Sequence, residues 1–225
     1  MTRPVLYIGN RNYSSWSLRP HMALATARIP FDEKLIRFGE PEFGRKVRRI
    51  SKAGLVPILE HNGLKIWDTL AIMEYAAETW PEKNLWPKNK AARAMARSIS
   101  AEMHSGFRNI RNELPMNLHW GPKRFPVTEA AAAEVMRIET LFADARKAHG
   151  KSGPFLFGKF SIADAMFTPV LSRFETYRIP ISKVTHTYQQ AVLSTPAFQD
   201  WKALALKEPW IEAHDEVDES KVIND

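Results

Sequence analysis

The sequence predicts an α/β domain followed by an all-helical domain, and three observations support this fold class. Short apolar runs alternate with helical patterns over the first part of the chain. An Asn62-Gly63 pair between two apolar runs is the strongest short signal for a hairpin. After Pro81 and Pro87, amphipathic and alanine-rich segments replace the strand-like alternation. The 225 residues are enough for two such domains.

The first domain is predicted to contain a mixed four-stranded sheet. Its periodicity indicates, in order, a strand over Val5–Ile8, a helix through 22–25, a strand across 34–38, a helix near Phe43–Ile50, strands on both sides of 62–63 and a helix over Thr69–Thr79. The order is therefore βαβα followed by ββα. A parallel unit followed by an antiparallel hairpin and a closing helix is the thioredoxin-like order.

The rest of the chain is predicted to be helical. Helices are expected at about 88–113, 128–149, 161–174, 188–193 and 197–206. Ser161 followed by Asp164 is a capping box at the start of the third of these helices. We therefore expect a domain over 1–82, a linker over 83–90, and a helical domain over 91–225 that ends in an acidic tail.

The composition restricts the classes of function. The chain has no cysteine, which excludes disulfides, thiolate metal ligands and a cysteine nucleophile, and no metal site is predicted. The net charge of +7 suits an anionic partner. The basic cluster at 45–49 is interpreted as a solvated helix face, and no aromatic residues interleave it, which argues against nucleic-acid binding. With neither a signal peptide nor a membrane-length apolar run, the sequence predicts a cytoplasmic protein with no membrane partner.

Three pairs of residues in the first domain are candidates for one ligand site, because a thioredoxin-like fold brings them to the same end of the sheet. The pairs are Ser14 with Ser15, Val56 with Pro57, and Asp68 with Thr69. Each pair has a structural alternative, since serine, aspartate and threonine cap helices and proline can begin a strand. Their joint occurrence in this element order favours a shared site.

Read as longer motifs, these segments resemble the glutathione transferase family over nearly the whole chain. The motifs are "SSWSLRPHMAL", "SKAGLVPILEHNGLKIWDTLAIMEYAAE" and "GKFSIADAMFTPV". The first is similar to the serine motif of the zeta class, which includes maleylacetoacetate isomerases. The second resembles the glutathione-binding segment of the family and the third its capping motif. The chain is thus identified as a zeta-like, bacterial type of cytosolic glutathione S-transferase.

The resemblance implies that a serine activates glutathione, the co-substrate. Ser14 is the first choice because it aligns with the first serine of the zeta-like motif, and Ser15 is the close alternative. A hydroxyl that donates to sulfur beside the start of a helix favours the thiolate and lowers the thiol pKa. Tyr7 is a third candidate, since some classes use a strand tyrosine. Trp16 replaces the cysteine of the zeta-like motif and is expected to lie beside the sulfur or in the domain interface.

The resemblance also implies how the rest of glutathione is held. Val56, followed by a cis bond to Pro57, is expected to pair its backbone with the cysteinyl unit. Asp68 is expected to take the γ-glutamyl ammonium, and Thr69 at a helix N-terminus the carboxylate. Leu55 stands where the family commonly has Lys or Gln. The charge lost there is expected from one of three basic residues, Lys52, Arg19 or Arg45.

A second group of residues is predicted to bind the acceptor substrate. Its members recur at intervals of three and four in one predicted helix: His104, Phe107, Arg108 and Arg111. Arginines facing a cleft would suit a small electrophilic or unsaturated acid, with Phe107 against its apolar part. In the structural alternative, Glu102 and Glu113 are internal partners of these arginines.

The resemblance favours a glutathione transferase that works as a homodimer, because the family's sites lie at a dimer cleft. One alternative is a glutathione-dependent cis-trans isomerase of the maleylacetoacetate type. Another is a non-catalytic interaction protein with the same fold. The intact set of Ser14, Pro57, Asp68 and Thr69 favours an enzyme, because a pure interaction module has no reason to retain it.

Overall fold

The computed structural model describes residues 2–223, and the first part of the chain is built on a mixed four-stranded sheet. The strands are β1 (Val5–Ile8), β2 (Asp32–Leu35), β3 (Ile58–His61) and β4 (Leu64–Trp67). Their order across the sheet is β2-β1-β3-β4, in which β1 and β2 are parallel and the other pairs antiparallel. This confirms the predicted thioredoxin-like sheet.

Nine α-helices lie within residues 2–223, and the last six of them form an all-helical region in the second part of the chain. In chain order, the nine helices are α1 (Ser15–Thr26), α2 (Phe43–Ile50), α3 (Thr69–Thr79), α4 (Lys90–Ser105), α5 (Arg108–Glu113), α6 (Glu129–His149), α7 (Ile162–Thr176), α8 (Lys183–Leu193) and α9 (Pro196–Ala205). None of these described helices combines the length and the apolar character needed to cross a bilayer.

The two parts of the chain pack together through α1 and α7. Nearly every residue of α7 is buried, because the helix is apolar on all sides and lies between α1, α4 and α8. The predicted capping box opens this helix, and the Asp164 carboxylate accepts the backbone N–H of Ser161 at 2.8 Å. The helix that carries the first serine pair is therefore held against the centre of the helical region.

Two element boundaries differ from the sequence prediction. The second strand was expected at 34–38 but runs over Asp32–Leu35, because Phe38 N–H leaves the ladder and donates to the Asn10 side chain at 2.8 Å. The eighth helix begins at Lys183 rather than near 188, because Ser182 caps it by accepting the Thr185 N–H at 3.3 Å.

The predicted helix over 88–113 is wrong as a single element. It breaks at Gly106 and Phe107 into α4 and α5. A Cβ on Gly106 would lie 2.8 Å from the Glu102 carbonyl oxygen, and Phe107 has a positive φ of 55°. The break turns Phe107 into the core, so residues on the two sides of it do not share a helix face.

Candidate functional site

A cleft of about 500 Å³ lies between the end of the sheet and the helical region. The described lining comes from five places: the turn into α1, the segment from β2 to the start of α2, the segment before β3, the end of α5 with α7, and the C-terminal segment. The residues used below are Tyr13, Ser14, Ser15, Trp16, Phe38, Leu55, Val56, Arg111, Arg173, Glu212, His214 and Asp215. Both predicted serines and the Leu55-Val56 segment therefore face one space.

The two serines of the opening turn have different surroundings. Ser14 is the N-cap of α1, and its hydroxyl oxygen accepts the Ser17 N–H at 3.3 Å. The Ser14 and Ser17 hydroxyl oxygens are 2.8 Å apart. The Ser15 hydroxyl lines the cleft and forms no hydrogen bond with the described residues 2–223. Either hydroxyl can meet a ligand, whereas only Ser14 also belongs to a hydrogen-bonded chain.

That chain of donors starts in the protein interior. Gly9 N–H donates to the fully buried Ser17 hydroxyl oxygen at 3.1 Å. A buried hydroxyl also needs an acceptor for its own proton, and the Ser14 oxygen is at the right distance for it. In the structure the Ser14 hydroxyl donates to Ser17, and because hydroxyl protons rotate, a bound anion can draw the Ser14 proton into the cleft while Ser17 donates to Ser14 instead. Such a chain polarises its last hydroxyl and favours a negatively charged acceptor.

The C-terminal segment holds the turn that precedes Ser14; we call residues 207–218 the C-terminal strap. Glu208 accepts the Asn12 N–H at 3.4 Å, and Glu212 accepts the Asn10 side-chain amide at 3.2 Å. Glu216 accepts the hydroxyl of Tyr13. The first two carboxylates are buried, so these contacts fix the turn firmly against the strap.

The Val56-Pro57 bond is cis, as the sequence predicts. Val56 lines the cleft beside Leu55, whose side chain is 69% exposed. Pro57 is buried and does not belong to the described cleft lining. Val56 therefore lies at the cleft, and the apolar Leu55 is its exposed neighbour in the lining.

Asp68 and Thr69 open α3, next to the cleft rather than in its described lining. Asp68 caps the helix by accepting the Leu70 N–H at 2.9 Å, and its other oxygen is 2.6 Å from His104 Nε2. Thr69 is buried and donates its hydroxyl to the Trp16 carbonyl at 2.8 Å. The Thr69 hydroxyl is thus already engaged, and this contact joins the start of α3 to the serine turn.

Trp16 is surrounded by cationic side chains. The guanidinium carbons of Arg19 and Arg111 lie 4.5 and 4.6 Å from its ring centre, and the ring of His104 packs edge-on at 5.4 Å. Arg19 is fully buried, with Nε donating to Met166 O at 2.9 Å. Arg19 is therefore a structural residue beneath Trp16, and its candidacy for binding glutathione loses support.

Two arginines of the cleft, which we call the arginine wall, have no carboxylate within ion-pair distance among the described residues. They are Arg111 and Arg173. Burial, with the Arg111 charge, lowers the pKa of Arg173 to about 10, and burial beside Arg108 lowers the pKa of Arg111. Arg173 donates Nε to Leu114 O at 2.6 Å and Nη1 to Pro169 O at 3.1 Å, so Nη2 remains for a ligand.

The predicted acceptor group is not brought together. Arg111 lines the cleft, but His104 binds Asp68, Phe107 is buried in the core and Arg108 is exposed outside the described lining. The helix break at Gly106 explains the separation. The suggested internal partners are also wrong, because Glu102 pairs with Arg137 at 2.7 Å and Glu113 accepts the Thr128 N–H at 3.0 Å.

Sequence reasoning missed Arg173 and the strap. Arg173 lies in α7, a mostly apolar helix. An arginine is rarely buried unless it has a partner, so its presence in such a helix was the signal that could have identified it. The sequence predicts the strap only as an acidic tail. No local sequence pattern indicates which residues its carboxylates contact.

Other candidates lie away from the cleft. The Tyr7 hydroxyl donates to Glu60 at 2.9 Å, and burial with this contact raises the pKa of Tyr7. Arg45 pairs with Glu42 on the exposed face of α2, and Lys52 is exposed. A second cavity, of about 610 Å³, is lined by Lys83, Lys88 and Lys159, but it contains none of the predicted site residues.

Comparison with known proteins relates the chain to one family. Residues 13–79 match the family model of the glutathione S-transferase N-terminal domain. A probable maleylacetoacetate isomerase of Caenorhabditis elegans is 29% identical over 208 residues, which cover 87% of this chain and 91% of the relative. The maleylacetoacetate isomerase of Rattus norvegicus is 28% identical over 205 residues, which cover 88% and 91% of the two chains.

Solved structures share the fold. A Burkholderia glutathione transferase homologue with bound glutathione has a TM-score of 0.68 at 22% identity, over 91% of this chain and 98% of its own. A diazinon-metabolizing glutathione S-transferase of the silkworm Bombyx mori has a TM-score of 0.71 at 18% identity, over 92% and 98%. The first domain thus matches the glutathione S-transferase N-terminal domain family, the chain resembles maleylacetoacetate isomerases along most of its length, and its fold is that of glutathione transferases.

Proposed function

We propose that this protein is a glutathione transferase in which a serine hydroxyl at the start of α1 activates the thiol of glutathione. The observation that carries the proposal is the hydrogen-bonded chain of Gly9, Ser17 and Ser14, whose last hydroxyl lies at the cleft and can turn its proton to a bound sulfur while Ser17 donates to it. A free thiol has a pKa of about 8.5. A hydroxyl donor and the positive end of a helix dipole both stabilise the thiolate and lower that value.

Ser15 is the second donor to the sulfur in this proposal. Its hydroxyl lines the cleft with no hydrogen bond to the described residues, so it can turn to a ligand without breaking a contact. Ser14 offers the polarised proton, and Ser15 offers an uncommitted one. We therefore expect Ser14 to make the larger contribution to thiolate stability and Ser15 the smaller.

Two further subsites are proposed, one for the cysteinyl unit of glutathione and one for its γ-glutamyl end. Val56 lies at the cleft beside the cis bond, and its backbone suits the cysteinyl unit as an added strand. The N-terminus of α3 suits the γ-glutamyl end. Asp68 already shares one oxygen with His104, but a carboxylate accepts several donors and can still take an ammonium.

The acceptor that fits the other side of the cleft is a small electrophilic or unsaturated acid. The arginine wall offers two guanidiniums to a carboxylate, and Phe38 adds an apolar ring to the lining of the same cleft. The activity of the named relatives suggests an alternative use of the same groups. A thiolate that adds to a conjugated double bond, allows rotation and is then eliminated would isomerise a maleylacetoacetate-like acid and be regenerated.

We also propose a cytoplasmic homodimer. Apolar side chains at the sheet edge are open to solvent, with Leu64 54% and Trp67 56% exposed on β4. Burial of such a patch against a second copy would remove it from water. A non-catalytic interaction protein is the remaining alternative, and it would share the fold and the dimer without activating a thiol.

The direct test is the pKa of the thiol of bound glutathione, followed by its ultraviolet thiolate absorbance. In the unchanged protein we expect a pKa below about 8.5. Ser14→Ala is expected to raise it by about one unit and Ser15→Ala by less, because each removes a donor from the charged form. Ser98→Ala, an exposed serine of α4, is the matched control and should leave it unchanged.

The other outcomes are equally informative. A larger shift in Ser15→Ala than in Ser14→Ala would transfer the main role to Ser15. Unshifted values in both variants, or a bound thiol as weakly acidic as the free one, would overturn serine activation. Failure of the protein to bind glutathione at all would favour the interaction protein.

A further inference from the structure

The C-terminal strap presents one carboxylate between two docking points. Glu212 accepts the amide of Asn10, and Glu216 accepts the side-chain amide of Asn117 at 2.9 Å. Between them the chain makes a single 3₁₀ turn over Ala213–Asp215, in which Asp215 N–H donates to Glu212 O at 2.9 Å. Because both flanks are docked, Asp215 is held in the cleft lining rather than free to move away.

Asp215 lines the same cleft as the arginine wall. Both arginines line the same cleft, and the charges of Asp215 and Arg173 influence each other. Within residues 2–223 no ion pair joins Asp215 to either arginine, and its partner at 3.2 Å is the exposed His214. The carboxylate therefore weakens the positive potential of the wall without occupying its donors.

We propose that Asp215 is a specificity-determining residue that limits the preference of the cleft for acidic acceptors. It places one fixed negative charge in the cleft that holds the arginine wall. The wall therefore accommodates one acidic group and disfavours a second. This inference rests on the proposed acid-binding role of the wall. Its physical basis is Coulombic repulsion in a partly exposed cleft, which acts on charged acceptors and leaves neutral ones unaffected.

The test is Asp215→Asn, which removes the charge and keeps the shape. Acceptors of similar size with no, one and two carboxylates are compared at about pH 8, where an aspartate carboxyl is ionised. The KM for the monoacid is expected to fall by about three- to tenfold, and that for the diacid by more, since repulsion grows with charge. The KM for the neutral acceptor should stay unchanged.

Glu219→Gln is the matched control, because it removes the same charge four residues further on, from an exposed ion pair with Lys123. It should change none of the three KM values. Melting temperatures of both variants check that the strap stays docked. A gain of affinity restricted to acids is a result that loosened packing would not produce.

Two failures can be told apart. If Asp215→Asn leaves all KM values unchanged while loss of Arg111 selectively impairs acids, the wall binds acids but Asp215 does not tune it, and this inference is overturned. If loss of Arg111 also spares acids, the acid-binding role itself fails. A lower KM for neutral and acidic acceptors alike would mean that Asp215 acts by obstruction and would likewise overturn the electrostatic role.

Discussion

Replacement of Asp164 by alanine is expected to lower the free energy of unfolding by about 3–5 kcal/mol. The carboxylate is fully buried and accepts four hydrogen bonds. One oxygen accepts Leu156 N–H and the hydroxyl of Tyr188, both at 3.0 Å. The other accepts the N–H and the hydroxyl of Ser161 at 2.8 and 2.9 Å. Alanine would leave two backbone donors and a phenol unpaired in the core.

Chemical denaturation followed by far-ultraviolet circular dichroism measures this loss. Asp144→Ala removes an exposed carboxylate from α6 and is the control, with an expected change within about 0.5 kcal/mol. Ser161→Ala should lie between the two, since it removes only a capping side chain, worth about 0.5–2 kcal/mol. A loss below about 1 kcal/mol in Asp164→Ala would show that the network does not carry this stability.

The same residue shows how far the sequence could lead. The spacing from Ser161 to Asp164 predicts a capping box, and the structure has one. The spacing gives no sign that the carboxylate also reaches Leu156 and Tyr188, because both residues lie outside the helix that the capping box opens. Local chemistry was therefore predictable, and the larger energetic role depended on tertiary packing.

The helices and strands also differ in whether local sequence patterns predict them. The strand over Val5–Ile8, the hairpin and the helix over Thr69–Thr79 follow from periodicity and turn residues, which act over a few positions. The break at Gly106 was missed because the apolar pattern continues across it. A glycine within a helical pattern is tolerated in many helices, so it does not by itself end one.

The candidate site was predictable only where it is local. Ser14, Ser15, Leu55 and Val56 do line one cleft, because the thioredoxin-like topology brings those segments to one end of the sheet. The acceptor side depends on three segments far apart in the chain. Its arginine from α7 and its strap carboxylates become neighbours only after the helical region has packed.

The second large expected effect is on catalysis and comes from removing one arginine of the arginine wall. Arg111→Ala is expected to lower kcat/KM for an acidic acceptor by about 10- to 100-fold, the range for a lost hydrogen bond to a charged group. A neutral acceptor of similar size should lose no more than about twofold, since it has no anion to bind. Steady-state kinetics with both acceptors at saturating glutathione measures the difference.

Arg108→Ala is the control for charge and position. It removes an arginine from the same short helix, three residues earlier, but its side chain is exposed and outside the described cleft lining. It should leave both acceptors unaffected. Equal losses with Arg108→Ala and Arg111→Ala would point to the general positive potential and argue against a binding contact.

Arg111 also packs on Trp16, so its removal could disturb the serine turn and impair every acceptor. Arg173→Lys separates the two effects, because Arg173 does not contact that ring in the described structure and lysine keeps the charge while losing the fork of donors. If the wall binds a carboxylate through paired N–H groups, Arg173→Lys should lower kcat/KM for the acid alone, by less than Arg111→Ala. If both variants lower kcat/KM for the neutral acceptor as much as for the acid, the two arginines are structural. The acceptors differ only in charge, so a binding contact to the carboxylate would affect the acid alone.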